Sequence, residues 1–425
     1  MITADAALQM VIENVARLAV ERVSIREALA RVIAEEIRSP RDIPGFANSA
    51  MDGYAVRAAD VAGAREDRPA RLSVVETVGA GAMPVSRVGA GETVRTMTGA
   101  PIAAGADAIV PVERTRSQGD TVEILAAAAA GAFVRPRGED LKRDELVIPA
   151  GKALSAADLG MLASLNRAMV DVYRRPRVAI VATGDELVDV DQLPTGAQVV
   201  NSSAYALAAA ITEAGAEATI LKVARDHPEE IRERLAEALA FDAVLSTGGV
   251  SVGQFDHVKQ ELDGLGLHQL FHGVAQKPGR PLKFGTIGDK SGGKPVFGLP
   301  GNPVSTMVCF YLYVRPALRK MGGRIDLGLP RVAVTCATEI RIASGLTEFV
   351  RVTLERREDG LFATPTGNQS SGVLSSLSRA DALLIGPAEL TVLKAGDQAT
   401  VLLLDAAAAL DCTPAFEALR LRQRN

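Results

Sequence analysis

Two glycine-rich loops in the middle of the chain have the composition of an anion-binding site. Each follows a short apolar run typical of a buried strand, in the segments AVLSTGGVS (243–251) and FGLPGNPVS (297–305). In parallel sheets such loops lie at the carboxyl edge, where open α/β folds bind ligands, and glycine lets backbone N–H groups approach phosphate-like oxygens closely. The residues expected to contact the ligand are Ser246, Thr247, Gly248, Gly249, Ser251, Pro300, Gly301, Asn302 and Ser305.

A cationic segment lies between these two loops. Lys277 and Arg280 stand three positions apart in KPGRP (277–281), where two prolines restrict the backbone. An ammonium and a guanidinium held in one stiff segment can both reach the same polyanion, and the guanidinium adds a planar, two-pronged donor. The segment therefore predicts a site for a ligand that carries several negative charges.

Acidic residues follow three predicted strands of the same region, and they are Asp185 with Glu186, Asp226 and Asp256. Each alone has a structural explanation, because helix dipoles favour acids at helix starts and Asp226 is a suitable helix cap. Three strand ends that present acids at one edge of a sheet favour a functional role. Further candidates for ligand contact, just before the first acidic pair, are Thr183 and Gly184.

Carboxylates beside a polyanion would repel it unless a cation lies between them. Mg²⁺ suits this position, since it binds one or two carboxylates together with ligand oxygens and water. We therefore expect Mg²⁺ as a cofactor, with Asp185, Glu186 and Asp256 as candidate ligands. No recognisable metal-binding spacing is formed by the histidines, which are His227, His257, His268 and His272.

Two further motifs have structural alternatives. Asp52-Gly53 is a good tight-turn dipeptide, so the type of residue alone does not require a catalytic role for Asp52. The PGNP segment (300–303) suits an oxyanion cradle at the start of a helix, but it also suits a structural turn. The residues alone leave both alternatives open.

The overall composition excludes several classes of protein. With 425 residues the chain is long enough for about two to four domains. Its net charge of −4 and its aromatic content of 4% give no reason to expect a nucleic-acid or anionic membrane partner. The three cysteines are widely separated, so neither a disulfide framework nor a thiolate zinc site is expected. Neither a signal peptide nor an apolar run of roughly 20 residues is found, and we expect a cytoplasmic protein.

Hydrophobic periodicity predicts the first elements of the chain. The segment from Thr3 to about Ile37 has helical spacing and a capping box at Ser24 and Glu27, which predicts two helices. Short β-branched runs from about Arg71 to Arg135 predict a β-rich module. Helical spacing returns at 155–162, so the module is interpreted as an insertion into a helical domain.

The middle and the end of the chain have different periodicities. From Arg177 to Ser246 apolar strands alternate with helices of about a dozen residues, which predicts a parallel sheet with helices on both faces. From Arg331 to about Leu404 short alternating strands predict a small β-barrel or sandwich. The candidate ligand contacts mostly follow strands of the α/β part.

Seven segments, taken in order, resemble a known family. They are PGFANSAMDGYAVR, RTMTGAPIAAGADAIVPVE, RPRGEDL, VATGDEL, STGGVSVGQFD, KPGRPLKFG and GLPGNPVS. Their order and separations resemble the MoeA family of molybdopterin molybdenumtransferases, which is related to the E domains of gephyrin and of plant Cnx proteins. The resemblance extends over nearly the whole chain.

The resemblance implies a homodimer of four-domain subunits. The implied parts are a helical domain at 1–42 and 138–172, an inserted β-rich domain at 43–137, a three-layer molybdopterin-binding α/β domain at 173–325 with a mostly parallel sheet, a C-terminal β-barrel at 326–410 and a tail at 411–425.

The resemblance also implies a reaction, in which adenylyl-molybdopterin and molybdate give molybdenum cofactor and AMP in the presence of Mg²⁺. Catalytic roles would fall on Asp52, Glu186, Asp226, Asp256, Lys277 and Arg280. Asp52 would reach the cleft from the partner subunit. Lys277, Arg280 and Ser305 would hold molybdate until the dithiolene sulfurs bind molybdenum. Arg351 and Ser371, in the last section, are similar to family positions that face the site.

One position departs from the family pattern. Bacterial members often carry lysine where Arg280 stands, and arginine keeps the charge while adding a planar donor, so we expect oxyanion binding to survive.

Other functions are compatible with parts of the sequence. A molybdopterin adenylyltransferase shares the Thr-Gly-Gly loop, and a scaffold or non-catalytic molybdopterin-binding protein would share the fold. The KPGRP and PGNP segments and the predicted additional domains favour molybdenum insertion, with an adenylyltransferase as a possible partner enzyme. Molybdate and tungstate have nearly equal size and charge, so the sequence does not separate them.

Overall fold

A computed structural model describes residues 1–248, 257–288, 293–343 and 345–409. The chain forms two compact units. The first comprises Met1–Glu35, Gly151–Gly160 and the chain from Arg167 onward, and the second comprises Glu36–Ala150 and Met161–Asn166. The finer division into four domains stays a prediction.

The first helix of the chain forms as predicted. It spans Ala4–Glu13 and begins at Thr3, whose hydroxyl accepts the Ala6 N–H at 3.2 Å. Ala7 and Val11, one turn apart, are buried on one face of this helix. Helical spacing and a polar N-cap were sufficient to predict it.

The prediction of a second helix, beginning at Ser24, is wrong. The capping box at Ser24 produces only one 3₁₀ turn, Ile25–Glu27. Ala30 then takes a left-handed φ of 61°, and the β-branched Val32 and Ile33 enter β-bridges, so helical geometry cannot continue. The predicted helical N-terminal region therefore also contains strands, with Val20–Ser24 antiparallel to Met169–Tyr173.

The second unit is built on a six-stranded sheet, as its β-branched runs predicted. In spatial order the strands are Ala108–Pro111, Gly53–Val56, Glu92–Thr96, Ala70–Val78, Thr121–Ile124 and Thr115–Gln118. Tyr54, Val110 and Val122 pack in an apolar cluster of this unit.

A second six-stranded sheet forms the centre of the first unit. In spatial order the strands are Glu217–Ile220, Arg177–Ala182, Ala243–Thr247, Lys294–Leu299, Lys283–Ile287 and Leu267–His272. The first four strands are parallel, and the last two pairings are antiparallel. This arrangement confirms the prediction of a mostly parallel sheet.

Helices cover both faces of this sheet, which makes three layers. Val178 and Ile180 face one apolar cluster, whereas Ala179 and Val181 face the other, because successive side chains of a strand point to opposite faces. The helices on the first face are Ala4–Glu13, Ser202–Glu213 and a continuous helical run at 303–321, composed of Pro303–Cys309, the π-helix Phe310–Val314 and Arg315–Met321. Those on the second face are Pro228–Ala238 and His257–Gly264.

The C-terminal strands close into a five-stranded barrel, which decides between the predicted barrel and sandwich. Around the barrel they are Arg331–Cys336, Gln398–Leu403, Ala382–Gly386, Thr347–Arg357 and Gly360–Pro365, and the last pairs with the first. Gln276–Lys277 adds to the strand Thr347–Arg357 from outside the barrel.

Shorter elements complete the described chain. The paired strands are Ile37–Arg38 with Leu146–Ile148, Asn48–Ser49 with Val134–Arg135, Leu187–Val188 with Val199–Val200, and Ile340–Arg341 with Val392–Leu393. The helices are Ala58–Val61, Ala156–Ser164 and Leu374–Ser378, with 3₁₀ turns at Val112–Arg114 and Ala406–Ala409. Among the described helices, none has the length and apolar character that a membrane span requires.

Candidate functional site

The carboxyl ends of three neighbouring parallel strands meet at one cleft of the first unit. Ala182 pairs with Thr247, and Thr247 pairs with Leu299, so the loops after these strands begin at the same level. A cleft of about 610 Å³ opens there. It is lined by Thr183, Glu186, Leu187, Val199, Val200, Asn201, Ser202, Ser203, Thr247, Gly248, Gly301, Asn302, Pro303 and Gly372. The structure thus brings together residues that the sequence separates by more than a hundred positions.

Two glycines allow the loops of this cleft to approach each other. Gly248 has a φ of 86°, and a Cβ on it would lie 2.7 Å from the carbonyl oxygen of Thr183. A Cβ on Gly301 would lie 3.8 Å from the Cα of Gly248, which shows how close these two loops are. Glycine at 248 is therefore required both for backbone conformation and for space.

Hydroxyl groups near the strand ends are buried without partners. Within the described part of the chain, Thr183 Oγ1 and Ser246 Oγ find no hydrogen-bond partner. A buried polar group left unpaired costs about 1–3 kcal/mol, so such groups need a specific reason. Thr183 lines the cleft, where a bound ligand could supply its partner.

The acidic loop, residues 183–187, presents exposed carboxylates. Asp185 and Glu186 are exposed, and neither forms an ion pair with a described cation. The Arg225 side chain fixes the loop by donating to the carbonyl oxygen of Asp185 at 2.9 Å. The backbone N–H of Asp226 donates to Asp185 Oδ1 at 3.1 Å, which brings the second predicted acid to the same loop.

Helix capping does not account for Asp226. The helix Pro228–Ala238 begins at His227, and no side chain caps it. Over the described residues, no group of three or more His, Cys, Asp or Glu side chains is arranged to hold a metal ion. The acids of this loop could therefore hold Mg²⁺ only together with oxygens from a ligand or water.

The basic loop, residues 277–281, is anchored by an ion pair between Lys277 and a buried acid, Glu348. Lys277 Nζ lies 3.0 Å from Glu348 Oε1, and the Glu348 side chain is only 6% exposed. Glu348 Oε2 accepts the backbone N–H of Ala343 at 2.6 Å. Arg280 contacts Met1 Sδ through Nε at 3.1 Å and has no ion pair with a described carboxylate. Arg280 is therefore the member of the cationic pair whose charge stays available.

A buried polar cluster forms the floor of the basic loop. Gln276 is fully buried and donates from Nε2 to the carbonyl oxygen of Pro278 at 2.9 Å, while its Oε1 accepts the hydroxyl of Tyr313. A Cβ on Gly279 would lie 2.5 Å from Cys309 Sγ and 2.7 Å from Gln276 Nε2. The loop thus packs directly on the helical run at 303–321.

Ser305 lies on the same helical run, next to the basic loop. It is buried in the first turns of the helix, and its carbonyl oxygen lies 3.5 Å from the position of a Cβ on Gly279. The structure therefore brings the predicted oxyanion contacts 277–281 and Ser305 together.

A loop of the barrel, residues 366–372, completes the other side of the cleft. Asn302 Nδ2 donates to Ser371 Oγ at 3.0 Å, and the N–H of Val304 donates to the Ser371 carbonyl at 3.2 Å. Ser371 is thus in contact with the PGNP segment and the residue that follows it.

Arg351 supports this barrel loop from within. Its side chain is 1% exposed and donates to Ser376 Oγ at 3.0 Å and to the Ser370 carbonyl at 3.2 Å. Burial lowers the pKa of its guanidinium from the ordinary value, with Glu348 opposing that shift. The geometry makes Arg351 a support for the loop that carries Ser371 and does not expose it on the cleft surface.

Asp52 lies in the second unit and is held by a neighbouring loop. Its Oδ1 accepts both the N–H and the hydroxyl of Thr98, each at 2.7 Å. The hydrogen bond from the Thr98 backbone N–H has the largest effect and the bond from its hydroxyl the next largest, and both lower the pKa of Asp52 below its usual value. A tight turn alone would not need these two hydrogen bonds between the Asp52 carboxylate and the loop at Thr98.

Three predicted site residues are not described by the structure, and several residues at the site were not predicted. Gly249, Ser251 and Asp256 lie outside the described residues. Glu348 and Gln276 were not predicted, although an acid in the apolar segment TEFVRV (347–352) and an amide next to KPGRP are detectable signals. Asn201, Ser202 and Ser203, which line the cleft, form the N-cap and first turn of the helix Ser202–Glu213 and were also missed.

Three family models match the chain in order. They are the MoeA N-terminal region (domain I and II) over residues 2–166, a probable molybdopterin binding domain over residues 179–320 and the MoeA C-terminal region (domain IV) over residues 333–404. The matches agree with the order of elements in the fold.

Individual proteins are similar over most of their length. The chain is 38% identical over 389 residues to a molybdopterin molybdenumtransferase of Nostoc sp., which covers 90% of this chain and 88% of that protein. It is 30% identical over 404 residues to the Staphylococcus aureus (strain COL) enzyme of the same name, covering 95% and 96%. A crystal structure of a molybdopterin biosynthesis MoeA protein from Pyrococcus horikoshii superposes with a TM-score of 0.82 at 31% identity, covering 95% of this chain and 99% of that chain.

Proposed function

The chain belongs to the molybdopterin molybdenumtransferase (MoeA) family, and from that premise we propose that it inserts molybdenum into molybdopterin during molybdenum cofactor synthesis. In the finer form of the proposal, adenylyl-molybdopterin and molybdate are the substrates and AMP leaves. The observation that carries the proposal is the cleft at the carboxyl ends of three parallel strands, whose lining segment 301–303 is continuous with the helix on which the basic loop packs.

The cleft suits a phosphorylated pterin in size and lining. Its volume of about 610 Å³ lies within the usual range for small-molecule sites, about 300–1,000 Å³. Glycines at 248 and 301 leave backbone groups accessible, and the hydroxyl of Thr183 is without a described partner. These features favour contacts with phosphate oxygens.

The acidic loop suits Mg²⁺ bound together with the ligand. Asp185 and Glu186 are exposed and free of described ion pairs, and Asp226 is tied to Asp185 through its backbone. Carboxylates in this state would repel a polyanion, so a divalent cation shared with phosphate oxygens offsets the repulsion. Mg²⁺ would supply charge neutralisation of the phosphates, with Asp185, Glu186 and Asp256 as its protein ligands.

The basic loop suits molybdate. Arg280 offers a planar donor and Lys277 a fixed ammonium, and Ser305 lies on the helix beside them. Glu348 neutralises part of the charge of Lys277 while holding its position. A doubly charged oxyanion bound there would stay in position until the dithiolene sulfurs bind molybdenum.

The proposed reaction balances without a further reactant. Replacement of one molybdate oxygen by the two dithiolene sulfurs releases one water, and cleavage of the phosphoanhydride consumes one. The residues of the cleft then need to hold two anions close together and stabilise the leaving phosphate of AMP. Asp52 would take part from the partner subunit of a homodimer.

The decisive experiment measures AMP release and cofactor formation from adenylyl-molybdopterin, molybdate and Mg²⁺. Arg280→Ala is expected to lower kcat/KM for molybdate by about 100-fold, because a charge-assisted contact is lost, whereas Arg280→Lys loses about tenfold or less. Arg341→Ala, which removes a 91% exposed arginine of the barrel region, is the matched control and should retain full activity.

Other outcomes would identify other functions. Tight pterin binding without any wild-type turnover would contradict the proposal in favour of a scaffold or binding protein. Formation of adenylyl-molybdopterin from ATP and molybdopterin would identify an adenylyltransferase instead. Equal effects of Arg280→Ala and Arg341→Ala would remove the basic loop from the proposed site.

A further inference from the structure

The first unit has a second polar cavity, which is lined by arginines. Every charged side chain among its lining residues is an arginine, and these are Arg31, Arg174, Arg175, Arg319 and Arg324. A wider cavity of about 400 Å³ shares Arg31, Arg174 and Arg175 and adds Arg177, Glu21 and Glu217. We refer to these two cavities, which share three lining arginines, as the arginine pocket. Its lining has no residue in common with the cleft.

Arg31 is built into the wall of the pocket. It is 9% exposed, and its guanidinium donates to Glu21 and to the carbonyl oxygen of Tyr173 at 3.0 Å. Its Nε is buried and has no hydrogen-bond partner in the described part of the chain. An anion bound at the pocket could accept this unused N–H.

The charges around the narrower cavity do not cancel. Glu21 pairs with Arg31, Asp242 with Arg174 at 2.7 Å, and Asp326 with both Arg319 and Arg324. Arg175 is exposed and has no ion pair with a described carboxylate. Five arginines therefore face three paired carboxylates there, and Arg177 and Glu217 of the wider cavity add one charge of each sign, so two positive charges remain.

Two helix ends offset only part of this excess. Ala214 and Gly322, which follow the helices Ser202–Glu213 and Arg315–Met321, line the same cavity. Each helix C-terminus is equivalent to about half a negative charge, so together they offset about one of the two positive charges. The pocket thus keeps a net positive charge.

The pKa shifts differ along the pocket, because the ion pair with Asp242 raises the pKa of Arg174 whereas the pKa of Arg319 is lowered. Burial lowers the pKa of Arg319 to about 10, and repulsion from Arg315 and Arg324 acts in the same direction. Asp326 only partly opposes these effects. An added anion would relieve the repulsion among these guanidinium groups.

We propose that the arginine pocket binds a doubly charged tetrahedral oxyanion of the phosphate class, either free or as the phosphate group of a nucleotide. Guanidinium groups match such oxygens with paired, planar donors. The site is separate from the cleft in its residues, and the proposal does not rest on molybdenum insertion.

The test titrates inorganic phosphate into the full-length protein and measures binding by calorimetry and by the shift in Tm. The Arg280→Ala background is used so that the basic loop does not contribute, and sodium chloride at equal ionic strength controls for general salt effects. We expect saturable binding that Arg175→Ala weakens by about tenfold or more, since one charge-assisted contact is lost. Arg341→Ala, an exposed arginine elsewhere in the same unit, should leave binding unchanged.

A second variant and a second probe complete the test. Arg31→Lys keeps the charge but removes the planar donor with its buried Nε, and we expect it also to weaken phosphate binding. AMP that binds more tightly than phosphate, in a manner dependent on Arg175, would identify a nucleotide as the source, whereas equal affinities would identify the free oxyanion. Absence of saturable binding, or equal affinities of Arg175→Ala and Arg341→Ala, would overturn the proposal.

Discussion

The acidic loop and the basic loop of the first unit carry opposite charges and are supported in opposite ways. Asp185 and Glu186 are exposed and form no ion pair with a described cation, since Arg225 donates only to backbone carbonyl oxygens of this loop. The basic loop, by contrast, rests on buried groups: Glu348 holds Lys277, and Gln276 holds the carbonyl of Pro278. One charged loop is thus fixed before any ligand arrives, and the other leaves its charge unbalanced.

In the proposed reaction, this difference would let two anionic substrates share one site. A prearranged cationic loop binds an oxyanion without reordering, which saves the entropy of fixing side chains. An acidic loop without a paired cation would bind the proposed phosphorylated ligand only together with a cation, which would make binding dependent on that cation. The comparison therefore predicts that packing changes will damage the basic loop and that charge changes will damage the acidic loop.

Among the substitutions that test this comparison, the largest effect is expected from Gly279→Ala, which tests the packing of the basic loop. A Cβ at this position would meet Cys309 Sγ at 2.5 Å and Gln276 Nε2 at 2.7 Å, and both groups are buried. The loop must then move off the helix, so we expect kcat/KM for molybdate to fall by about 30-fold or more. Turnover assays and thermal unfolding of the variant check this.

The matched control is Gly396→Ala. Gly396 has a similarly positive φ of 90°, but a Cβ there would have nothing within 4 Å. We expect only the cost of left-handed alanine, about 1 kcal/mol of stability, and unchanged turnover. Similar kinetic losses in both variants would show that backbone strain, and not packing on Cys309 and Gln276, is responsible.

A smaller effect is expected from Asp185→Asn, which tests the charge of the acidic loop. Asparagine keeps an oxygen that can accept the Asp226 N–H, so the loop should keep its conformation while losing one negative charge. The Mg²⁺ concentration for half-maximal turnover should rise by about tenfold. Asp359→Asn, an exposed acid in a turn of the barrel region, should not change it. An unchanged Mg²⁺ requirement in Asp185→Asn would exclude this residue as a ligand.

The smallest effect is expected from Thr98→Ala, which removes one of the two hydrogen bonds that Thr98 donates to the Asp52 carboxylate. The bonds from Thr98 stabilise the ionised form of Asp52 and lower its pKa, so the residue stays ionised to lower pH than an ordinary aspartate. Losing the hydroxyl bond while keeping the N–H bond raises this pKa, so the acid limb of kcat/KM should move to higher pH. A pH profile of turnover measures the shift, and Thr98→Ser should show none. An acid limb that stays in place would show that Asp52 does not govern it.

The local signals in the sequence predicted most strands and most helices of the first unit. The run from Arg177 to Ala182 is apolar on both faces, and it forms a strand buried between two helical layers. The failure at Ser24 has an equally local origin. The capping box was present, but Ala30 adopts a left-handed conformation and Ile33 pairs with Val172, so long-range strand contacts overrode helical spacing.

The supports of the site were not predictable in the same way. Glu348 lies 71 positions from Lys277, and nothing local to either residue indicates that they form an ion pair at 3.0 Å. The contact between Asn302 and Ser371 likewise depends on how the barrel packs beside the α/β sheet. Arg351 was expected to face the site because it is similar to a family position, and the structure shows it buried, where it donates to the neighbouring loop.

Neighbouring residues are therefore enough to recognise the chemistry available to this protein: glycine-rich strand ends, three groups of acids and one cationic loop. Which charges stay available depends on the folded chain, since Glu348 pairs with Lys277 while Arg280 has no described ion pair. The two kinds of information differ in range along the chain. Backbone conformation and side-chain chemistry are set within a few residues, but burial and ion pairing arise between segments that only the folded chain brings into contact.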